Sequence, residues 1–417
     1  MTFVLTARRG REYDGERNAK EDEEMLRSKI DDRALAPQGE AEVAWRRAKM
    51  PVLRQFGERY GREKPFAGRS LLICMHCEPK AAVRTEVLLR GGAERIVFVG
   101  NLGSTKPGTA AYLAGLPGVT VLAGRGDRLE DLRQNLRAAL AEGPYDLLMD
   151  NGAGILQQFA REAPAWRPLG GIEETRSGRL ILEREGIAPD FPLLVIDDSP
   201  VKRLIENEAG VGQSVVDGIL RATSMLLGGK PVLVVGYGYC GAGITQRLRA
   251  LGAQTMVWDT DPVRLLKARV EGHRTGALEE LLPRAELVVT VTGRFDVLGP
   301  RHLPLLRDGA ILCNAGHYNM EIDVEGLRAT AREVRRLPGE IEEFRFADRS
   351  AYLLQSANPI NLAAGAGNPL EVMDLGYALQ LLSLEEILAG RARPGIQPLP
   401  PSVDREACRL CLESWPQ

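Results

Sequence analysis

The sequence lacks the features that would place the chain at a membrane, on nucleic acid or in a secretory route. Its 54 basic and 56 acidic residues leave a net charge of −2, so neither sign dominates and no nucleic-acid or membrane-surface partner is favoured. No apolar run reaches the ~18 residues that a membrane span requires. The N-terminal stretch also lacks the apolar core of a signal peptide. We therefore expect a cytoplasmic protein.

Cysteine is scarce as well, with six residues in 417. In a cytoplasmic chain such residues are mostly thiols. Two C-x-x-C pairs, Cys74/Cys77 and Cys408/Cys411, have the spacing of a split Cys₄ zinc site. Cys74, however, ends an apolar strand-like run, and the second pair lies on a predicted helix. We favour buried thiols and predict no metal.

The composition that remains is ordinary for a globular protein. The 417 residues suffice for two or three domains, and 44% are hydrophobic while 26% are charged. Residues 7–40 are dense in charged side chains and poor in large apolar ones. We expect a mobile tail or a solvated helix there, with order beginning near Glu42.

Apolar strand-like runs alternate with helical periodicity from residue 70 onward. Strands are predicted at 70–75, 95–99, 119–123 and 146–150, and helices at 81–91 and 129–141. This alternation predicts a doubly wound parallel sheet, in which ligands bind beyond the carboxyl ends of the strands. Five polar residues at these ends are therefore expected to face one crevice: His76, Asn101, Ser104, Asp150 and Asn151.

The stretch from 231 to 261 has every part of a dinucleotide-binding unit. An apolar strand leads into the G-x-G-x-x-G of Gly236, Gly238 and Gly241, and a helix and a second strand follow. The glycines allow a tight turn, close approach of a pyrophosphate, and close helix packing. Asp259 follows about 20 residues on, where its carboxylate can bind a ribose diol and would repel a 2′-phosphate. We predict bound NAD; the alternative is a purely structural strand–helix turn.

Together these patterns predict an α/β protein with two doubly wound parallel-sheet domains, the second a Rossmann NAD-binding domain. Further strands are expected at 193–196, 287–293 and 310–317, and a long helix at about 214–227. The predicted organisation has four parts: a charged extension at 1–40, a substrate-binding domain from 41–206 and 362–400, the NAD-binding domain at 207–361, and a short tail at 401–417.

The crevice between the two domains would hold acids, one lysine and two histidines opposite a nicotinamide. That composition suits hydride transfer from a sugar or alcohol carbon, with a base that removes the hydroxyl proton. Each residue alone has an ordinary structural interpretation. Only their joint position at strand ends favours a site made of Glu173, Glu174, Glu206, Lys202, His76 and His317.

Several blocks, in the same order, resemble the S-adenosyl-L-homocysteine hydrolase (adenosylhomocysteinase) family over about 44–401. The stretch GIEET at 171–175 is similar to G-[IV]-S-E-E-T-T-T-G, and DSPVK at 198–202 to N-D-S-V-T-K. SVVDGILRAT at 214–223 matches S-L-x-D-G-I-x-R-A-T. The nucleotide loop resembles G-Y-G-D-V-G-K-G, and NAGHYNMEID at 314–323 resembles N-x-G-H-F-D-x-E-I-D.

The resemblance implies that NAD is used catalytically. In that family it oxidises the nucleoside 3′-hydroxyl, a base removes the acidified 4′-hydrogen, the 5′ substituent leaves, water adds and the ketone is reduced. By position, the expected catalytic residues are Lys202, Glu206, His76, His317, Glu174 and Asn151. The expected cofactor-binding residues are Gly236, Gly238, Gly241, Asp259, Thr175, Asn207, Thr292, Asn314 and Asn361. The expected substrate-binding residues are Glu78, Lys80 and Asn368.

The departures from the family cluster around the substrate. Asn151 replaces an aspartate near the 5′ leaving group, and Gly154 replaces another acid. Lys80 stands where the family reads adenine with a carboxylate, Glu78 replaces a threonine, and Asn368 replaces a histidine. A side chain that recognises a base through hydrogen bonds cannot change from acceptor to donor without changing the partner that it binds.

These departures favour a divergent enzyme, for instance a dehydratase that expels water from a nucleoside and leaves a 4′,5′ double bond. A genuine S-adenosylhomocysteine hydrolase is one alternative. A non-catalytic, NAD-binding regulatory homologue is another, although retention of Lys202 and His317 argues against it. The expected partner is a small nucleoside, with no nucleic acid and no membrane, and the resemblance implies a homo-oligomer, a dimer or tetramer.

Overall fold

The computed structural model describes residues 26–317 and 319–415. Residues 1–25 of the predicted extension, Tyr318 of the resembling block and residues 416–417 of the predicted tail lie outside the described part. Within it, no helix combines the length and the apolarity that crossing a bilayer would take.

The strands are numbered in chain order. They are β1 (Lys29–Ile30), β2 (Ser70–Met75), β3 (Arg95–Gly100), β4 (Val119–Ala123), β5 (Leu147–Asp150), β6 (Gly170–Glu173), β7 (Pro192–Val195), β8 (Pro231–Val235), β9 (Gln254–Trp258), β10 (Arg274–Thr275), β11 (Leu287–Thr290), β12 (Ala310–Asn314), β13 (Glu333–Leu337), β14 (Ile341–Arg345), β15 (Ser350–Leu354) and β16 (Gly395–Pro398).

The α-helices are numbered in the same way. They are α1 (Ala36–Ala48), α2 (Pro51–Glu63), α3 (Pro79–Arg90), α4 (Pro107–Leu113), α5 (Leu129–Ala141), α6 (Gly154–Glu162), α7 (Arg176–Glu185), α8 (Val211–Thr223), α9 (Tyr239–Ala250), α10 (Pro262–Val270), α11 (Leu278–Leu281), α12 (Val324–Thr330), α13 (Ile360–Ala363), α14 (Leu370–Leu388) and α15 (Pro401–Ser414).

Two sheets organise the described chain, which confirms the predicted α/β class with two doubly wound sheets. The first has the order β1-β4-β3-β2-β5-β6-β7-β16, and all its neighbouring strands are parallel. The second has the order β10-β9-β8-β11-β12-β15-β14-β13. In it β14 pairs antiparallel with both of its neighbours, β13 and β15, and the other neighbouring strands are parallel. The direction of winding reverses between β2 and β5 in one sheet and between β8 and β11 in the other.

Alternation along each central strand supplies two cores per sheet, because successive side chains point to opposite faces. Leu71 and Ile73 of β2 belong to one buried cluster, while Leu72 belongs to the cluster on the other face. In β8, Leu233 and Val234 divide in the same way. Such strands, buried on both faces, explain the uninterrupted apolar runs in the sequence.

Ordered structure begins earlier than the predicted start near Glu42. Lys29–Ile30 pairs with Leu122–Ala123 at the edge of the first sheet. Two side chains from the charged stretch help to fix it, since Ser28 accepts from the Val121 amide and Asp31 from the Arg125 amide. At the other end, α15 packs Val403, Ala407 and Cys411 against the first core.

The prediction of a long helix at about 214–227 is wrong in its bounds. Residues Lys202–Gly210 form a π-helical segment that continues into α8, which ends at Thr223. Hydrogen bonds in a π-helix span five residues, and such segments are rare and common at functional sites. The segment joins the two sheets, and the chain returns at 360–370 to form α14 over the first sheet.

Candidate active site

The carboxyl ends of both sheets border one cavity of about 690 Å³. Side chains that follow β2, β5, β6 and β7 line it from the first sheet, and those that follow β8, β9, β11 and β12 line it from the second. This is the location that the winding of the two sheets favours, because loops separate at the points where strand order reverses. The residues that line it include most of the site predicted from the sequence.

The nucleotide loop has the geometry that a pyrophosphate requires. Gly236 has a φ of +107°, which a side chain would strain, and a Cβ at Gly241 would lie 2.0 Å from the Gly236 carbonyl oxygen. A Cβ at Gly238 would instead meet only the Arg264 guanidinium, at 3.9 Å. Packing within the chain therefore does not require glycine at 238, whereas close approach of a phosphate does. The first turn of α9 presents its free N–H groups at the same place.

Asp259 lies at the end of β9, as the ribose-binding acid should. Its carboxylate accepts from the Tyr237 amide at 2.6 Å and from the Asp261 amide at 2.9 Å. Arg264 on α10 lies 3.4 Å from the same carboxylate. These contacts hold the side chain in one orientation at the cavity wall, and Oδ1, which within the described chain accepts only from the Asp261 amide, keeps acceptor capacity for a ribose hydroxyl.

The other residues expected at the cofactor differ in their positions. Four of them line the cavity: Thr175, Asn207, Thr292 and Asn361. Asn314 is instead fully buried beneath the loop that follows β12. Its amide accepts from the Gly316 N–H at 2.7 Å and donates to the Ala357 carbonyl at 2.9 Å. Asn314 thus shapes the loop that carries His317.

Lys202 is the centre of the most highly charged part of the cavity. Its Nζ donates to Asn207 Oδ1 at 2.9 Å. Three carboxylate oxygens surround it at slightly longer range: Asp197 at 3.6 Å, Glu206 at 3.8 Å and Glu174 at 3.9 Å. Asn207 links two of these groups, since its Nδ2 donates to Asp197 Oδ1 at 2.7 Å. The π-helical segment explains how residues 202, 206 and 207 all meet.

Burial and charge shift the pKa values of this cluster in opposite ways. Burial by itself would lower the pKa of Lys202, but the surrounding carboxylates outweigh it and raise that pKa above its ordinary value. Burial raises the pKa of Glu174 to about 8, with the Glu206 charge adding to the rise. Burial also raises the pKa of Glu206, against the effect of Lys202. Lys202 therefore stays an ammonium ion at neutral pH, beside carboxyl groups that can exchange protons.

Two oxygens of this cluster are set apart from the others. Glu174 Oε1 and Glu206 Oε2 are buried and have no hydrogen-bond partner in the described structure. Buried acceptors are almost always satisfied, so such atoms call for an explanation. A substrate with adjacent hydroxyl groups would supply both donors.

A second polar group lies where the two histidines meet. The rings of His76 and His317 are 5.6 Å apart, and His76 Nδ1 is 2.8 Å from Ser104 Oγ. Asn101 Nδ2 donates to both oxygens of Asn151, at 2.9 Å to the carbonyl and 3.1 Å to Oδ1. Of the five residues expected at the crevice, only His76 and Asn151 line the cavity, joined by His317 from the second sheet. Asn101 and Ser104 are buried behind them and hold them by hydrogen bonds.

Burial keeps both imidazoles neutral. It lowers the pKa of His76 to about 4, a shift that the Glu78 charge opposes. It lowers the pKa of His317 to about 3, and the nearby His76 adds to that shift. Each ring therefore carries one donor and one acceptor nitrogen at neutral pH, which suits proton transfer in either direction.

Asp150 was expected to face the crevice and turns away from it. Its two oxygens accept from the Asn151 and Leu156 amides, both at 3.0 Å. Burial and the neighbouring Glu173 raise its pKa well above the ordinary value. Asp150 and Glu173 thus support the loop after β5 and do not line the cavity.

At one end of the cavity, where α3 begins, Lys80 and Glu78 form a buried pair. Lys80 Nζ lies 2.8 Å from Glu78 Oε2 and donates to the Ala366 carbonyl at 2.6 Å. The Glu78 oxygens also accept from the Lys80 and Ala81 amides and from the Tyr377 hydroxyl, at 3.0–3.2 Å. Glu78 is therefore saturated, whereas the ammonium has one N–H left over for the cavity.

The loop 362–368 completes this end. Asn368 Oδ1 accepts from Ser214 Oγ at 2.8 Å, which turns the amide NH₂ of Asn368 outward. Lys106 holds the same loop from behind by donating to the Leu362 carbonyl at 3.0 Å. All three predicted substrate-binding residues thus meet at one end, with Lys80 and Asn368 offering donors.

Several residues at the cavity were not predicted from the sequence. Asp197 follows β7 directly, so the strand-end rule was sufficient to find it. Arg84, Tyr377 and Gln380 also line the cavity, from α3 and α14. Only the packing of α3 against α14 brings these side chains to the site.

Two doubly wound sheets that border one cavity, with a G-x-G-x-x-G loop after β8 and an acid after β9, are the features of a class of nucleotide-dependent enzymes. Comparison with known proteins identifies the family of this chain. The model for the S-adenosyl-L-homocysteine hydrolase NAD-binding domain matches residues 207–367. The chain belongs to the S-adenosyl-L-homocysteine hydrolase family, and its cofactor is NAD.

The similarity extends over nearly the whole chain. The S-inosyl-L-homocysteine hydrolase of Methanopyrus kandleri is 40% identical over 395 residues, which cover 92% of each chain. The adenosylhomocysteinase of Aquifex aeolicus is 37% identical and the alignment covers 92% of this chain and 94% of that one. The S-inosyl-L-homocysteine hydrolase of Methanocaldococcus jannaschii is also 37% identical, with 91% and 92% covered. The chain is thus similar to hydrolases of both names.

Proposed function

We propose that the protein oxidises the ribose of a nucleoside with a 6-oxopurine base, eliminates the 5′ substituent, adds water and reduces the ribose again. This is the reaction of an S-inosyl-L-homocysteine hydrolase. The observation that carries the choice of base is the remaining N–H of Lys80 in the cavity wall at the start of α3.

A base recognised at this end must offer acceptors. Lys80 and Asn368 both present N–H groups there, and the Glu78 carboxylate is occupied by four donors. The O6 and N7 atoms of a 6-oxopurine are both acceptors. The 6-amino group of adenine is a donor and would face the Lys80 ammonium, and such a buried mismatch costs roughly 1–3 kcal/mol.

The ribose fits the middle of the cavity. Bound NAD supplies the hydride acceptor for carbon 3′ and later returns the hydride. Glu174 Oε1 and Glu206 Oε2 are the buried oxygens without partners, and they accept the hydrogens of the ribose hydroxyls. The Lys202 ammonium stabilises the negative charge that develops on the 3′ oxygen as its proton leaves.

The histidine pair is placed for the elimination step. A neutral His76, oriented by Ser104, can take the 4′ proton or protonate the leaving group. His317 faces it across 5.6 Å. The pKa values of both rings, lowered by burial, keep an acceptor nitrogen available at neutral pH.

Dehydration of a free nucleoside is the second candidate, in which hydroxide leaves from carbon 5′ and a 4′,5′ double bond remains. Asn151 favours it, because an amide stands beside the histidines and offers no negative charge for the ammonium group of a homocysteine. The same residues would carry oxidation and proton removal.

Oligomeric state and cytoplasmic location stay predictions from the sequence.

One experiment separates these possibilities. The NAD-loaded protein is mixed with inosine, adenosine and the 5′-homocysteine thioether of each, and the absorbance of reduced NAD is followed. Mass spectrometry then detects loss of water or release of homocysteine. Lys202→Ala serves as the chemically inactive control.

We expect faster oxidation of the two inosine compounds than of the adenosine compounds. Equal rates, or a preference for adenosine, would refute the proposed base. Homocysteine release supports the hydrolase and water loss supports the dehydratase. Failure to reduce NAD with any of the four compounds would refute the enzymatic function altogether.

A further inference from the structure

Arg84 is a fully buried cation on α3, in the wall of the cavity. Its Nη1 donates to Gln380 Oε1 at 2.8 Å, and its guanidinium lies 5.2 Å from the centre of the Tyr377 ring. Its Nε and Nη2 have no hydrogen-bond partner. A buried guanidinium is costly, and an apolar side chain would serve for packing α3 against α14. The position of Arg84 therefore needs another reason.

The contact with Arg84 determines which way the Gln380 amide points. An arginine side chain has donors and no acceptor, so the amide oxygen of Gln380 must face it. The NH₂ group is then directed at Glu174, where it donates to Oε2 at 2.6 Å. Without Arg84, the Gln380 amide could turn over and accept a hydrogen bond from a protonated Glu174, which would favour the protonated form of that carboxyl group.

Glu174 is in turn one of the two carboxylates that have a buried oxygen without a hydrogen-bond partner in the described structure. Gln380 holds Oε2, while Oε1 faces the cavity at 3.9 Å from Lys202 Nζ. Rotation of the carboxylate would move Oε1 away from the ribose position. The three residues thus form one chain of contacts that runs from α3 through α14 to the end of β6.

We propose that Arg84 is a positioning residue, which fixes the orientation of Gln380 and thereby aims the ionised Glu174 carboxylate at a ribose hydroxyl. This inference rests on the ribose site of the proposed function and is independent of the base and of the leaving group.

The arrangement has a consequence for pH. The charged groups around Glu174 come from three elements: Glu206 and Lys202 from the π-helical segment, Glu173 from β6 and Arg84 from α3. Burial raises the pKa of Glu174 to about 8, and the bond from Gln380 is one of the contacts that lower it. Release of Gln380 would raise that pKa further, so fewer molecules would hold an ionised Glu174 near neutral pH.

The test compares Arg84→Met, which keeps an unbranched apolar side chain without donors, with Arg84→Lys, which keeps a cationic donor group. Arg90→Met, at the exposed end of the same helix, is the matched control. Inosine binding to the NAD-loaded protein is measured by calorimetry over a range of pH. We expect Arg84→Met to weaken binding roughly tenfold near neutrality and to shift the midpoint upward by roughly one pH unit. Arg84→Lys should recover part of both effects.

A double-mutant cycle with Gln380→Met tests the route of action. If Arg84 acts through Gln380, Arg84→Met should change nothing further in the Gln380→Met background. Additive effects, or a wild-type pH profile in either single variant, would overturn the proposal. If Arg84→Met fails to fold, the pH profiles of inosine binding to Gln380→Met and Arg84→Lys still test the proposal.

A readout without substrate keeps the two proposals distinguishable. The titration of Glu174 is followed without nucleoside in two proteins, the wild type and Arg84→Met. For each, the unfolding free energy is compared at every pH with that of the same protein carrying Glu174→Gln. The pH midpoint of this difference should be higher for Arg84→Met than for the wild type. If the wild type binds no nucleoside, the ribose site is refuted, and an unshifted midpoint refutes the role of Arg84.

Discussion

The ammonium of Lys202 donates to the amide oxygen of Asn207, five residues further along the chain, at 2.9 Å. Five residues is the spacing that a π-helix brings onto one face, and an α-helix would turn the two side chains apart. The same segment places Glu206 beside them, and Asn207 reaches back to Asp197 after β7. The irregular helix thus brings Lys202, Glu206 and Asn207 together beside the end of β7.

Removal of this lysine should stop the chemistry. In Lys202→Ala the developing charge on the 3′ oxygen loses its ammonium ion, and three buried carboxylates lose a shared counter-ion, which also lowers stability. We expect the formation of reduced NAD with nucleoside to fall by more than a hundredfold, in line with about 2.7–4 kcal/mol for a donor that stabilises developing charge. Stopped-flow absorbance measures it.

Lys267→Ala is the control for that variant. Lys267 lies on α10, half exposed, in a surface pair with Glu271. It should reduce NAD at the wild-type rate. Substantial NAD reduction by Lys202→Ala with an unchanged NAD content would mean that another group supports the oxidation.

Glu174 should make the protein less stable as the pH rises. Its pKa in the folded state is about 8, against an ordinary value of 4.5, so the folded state favours the protonated form. The corresponding stability is complete below 4.5 and is lost as the pH rises through about 8, by at most roughly 1.4 kcal/mol per pH unit. Glu174→Gln should abolish this loss in urea unfolding across that range.

Glu183→Gln, on the exposed side of α7, is the matched control and should retain the wild-type pH dependence. If Glu174→Gln and wild type lose stability in parallel between pH 4.5 and about 8, the carboxyl group is not held protonated by its surroundings.

How far the sequence could lead is clearest at the strand ends. His76 and Asn151 were predicted to share a crevice from nothing more than their positions after β2 and β5, and the structure brings them to one cavity. The nucleotide loop could also be predicted from the sequence, because its glycines, helix and acid lie close together in the chain. Local patterns of this kind depend on interactions between near neighbours.

What the sequence did not predict depends on contacts across the chain. The π-helical start at Lys202 has no periodic signature, because polar contacts and not apolar spacing decide it. Arg84 and Gln380 are 296 residues apart, and helical periodicity places both on core-facing sides of their helices. Asp150 was expected in the cavity, but the backbone amides of its own loop were the nearer donors.

Base preference should respond to Lys80. Lys80→Met removes the N–H that faces the base, and a hydrogen bond from a charged group contributes roughly 1.5–3 kcal/mol. We expect the preference for inosine over adenosine, measured as the ratio of kcat/KM for NAD reduction, to fall by roughly tenfold or more. The variant also frees the Ala366 carbonyl, so loosening of the loop 362–368 must be separated from loss of the contact.

Lys106→Met provides that separation. Lys106 holds the same loop through the Leu362 carbonyl, from outside the cavity. It should lower both rates alike and leave their ratio unchanged. An equal fall in the ratio for both variants would show that loop order, and not the Lys80 ammonium, discriminates between the bases.

The leaving group should respond to Asn151. In Asn151→Asp the bond from Asn101 can persist, because Oδ1 still accepts, while a negative charge appears beside His76 and His317. That charge offers a partner for the ammonium group of a homocysteine and favours protonated imidazole. We expect turnover of the inosine thioether to rise relative to dehydration of inosine, as measured by mass spectrometry of both products. Gln134→Glu adds the same charge on the exposed surface of α5 and should leave the ratio unchanged. An unchanged or lower ratio in Asn151→Asp would mean that the amide at this position does not determine which group leaves carbon 5′.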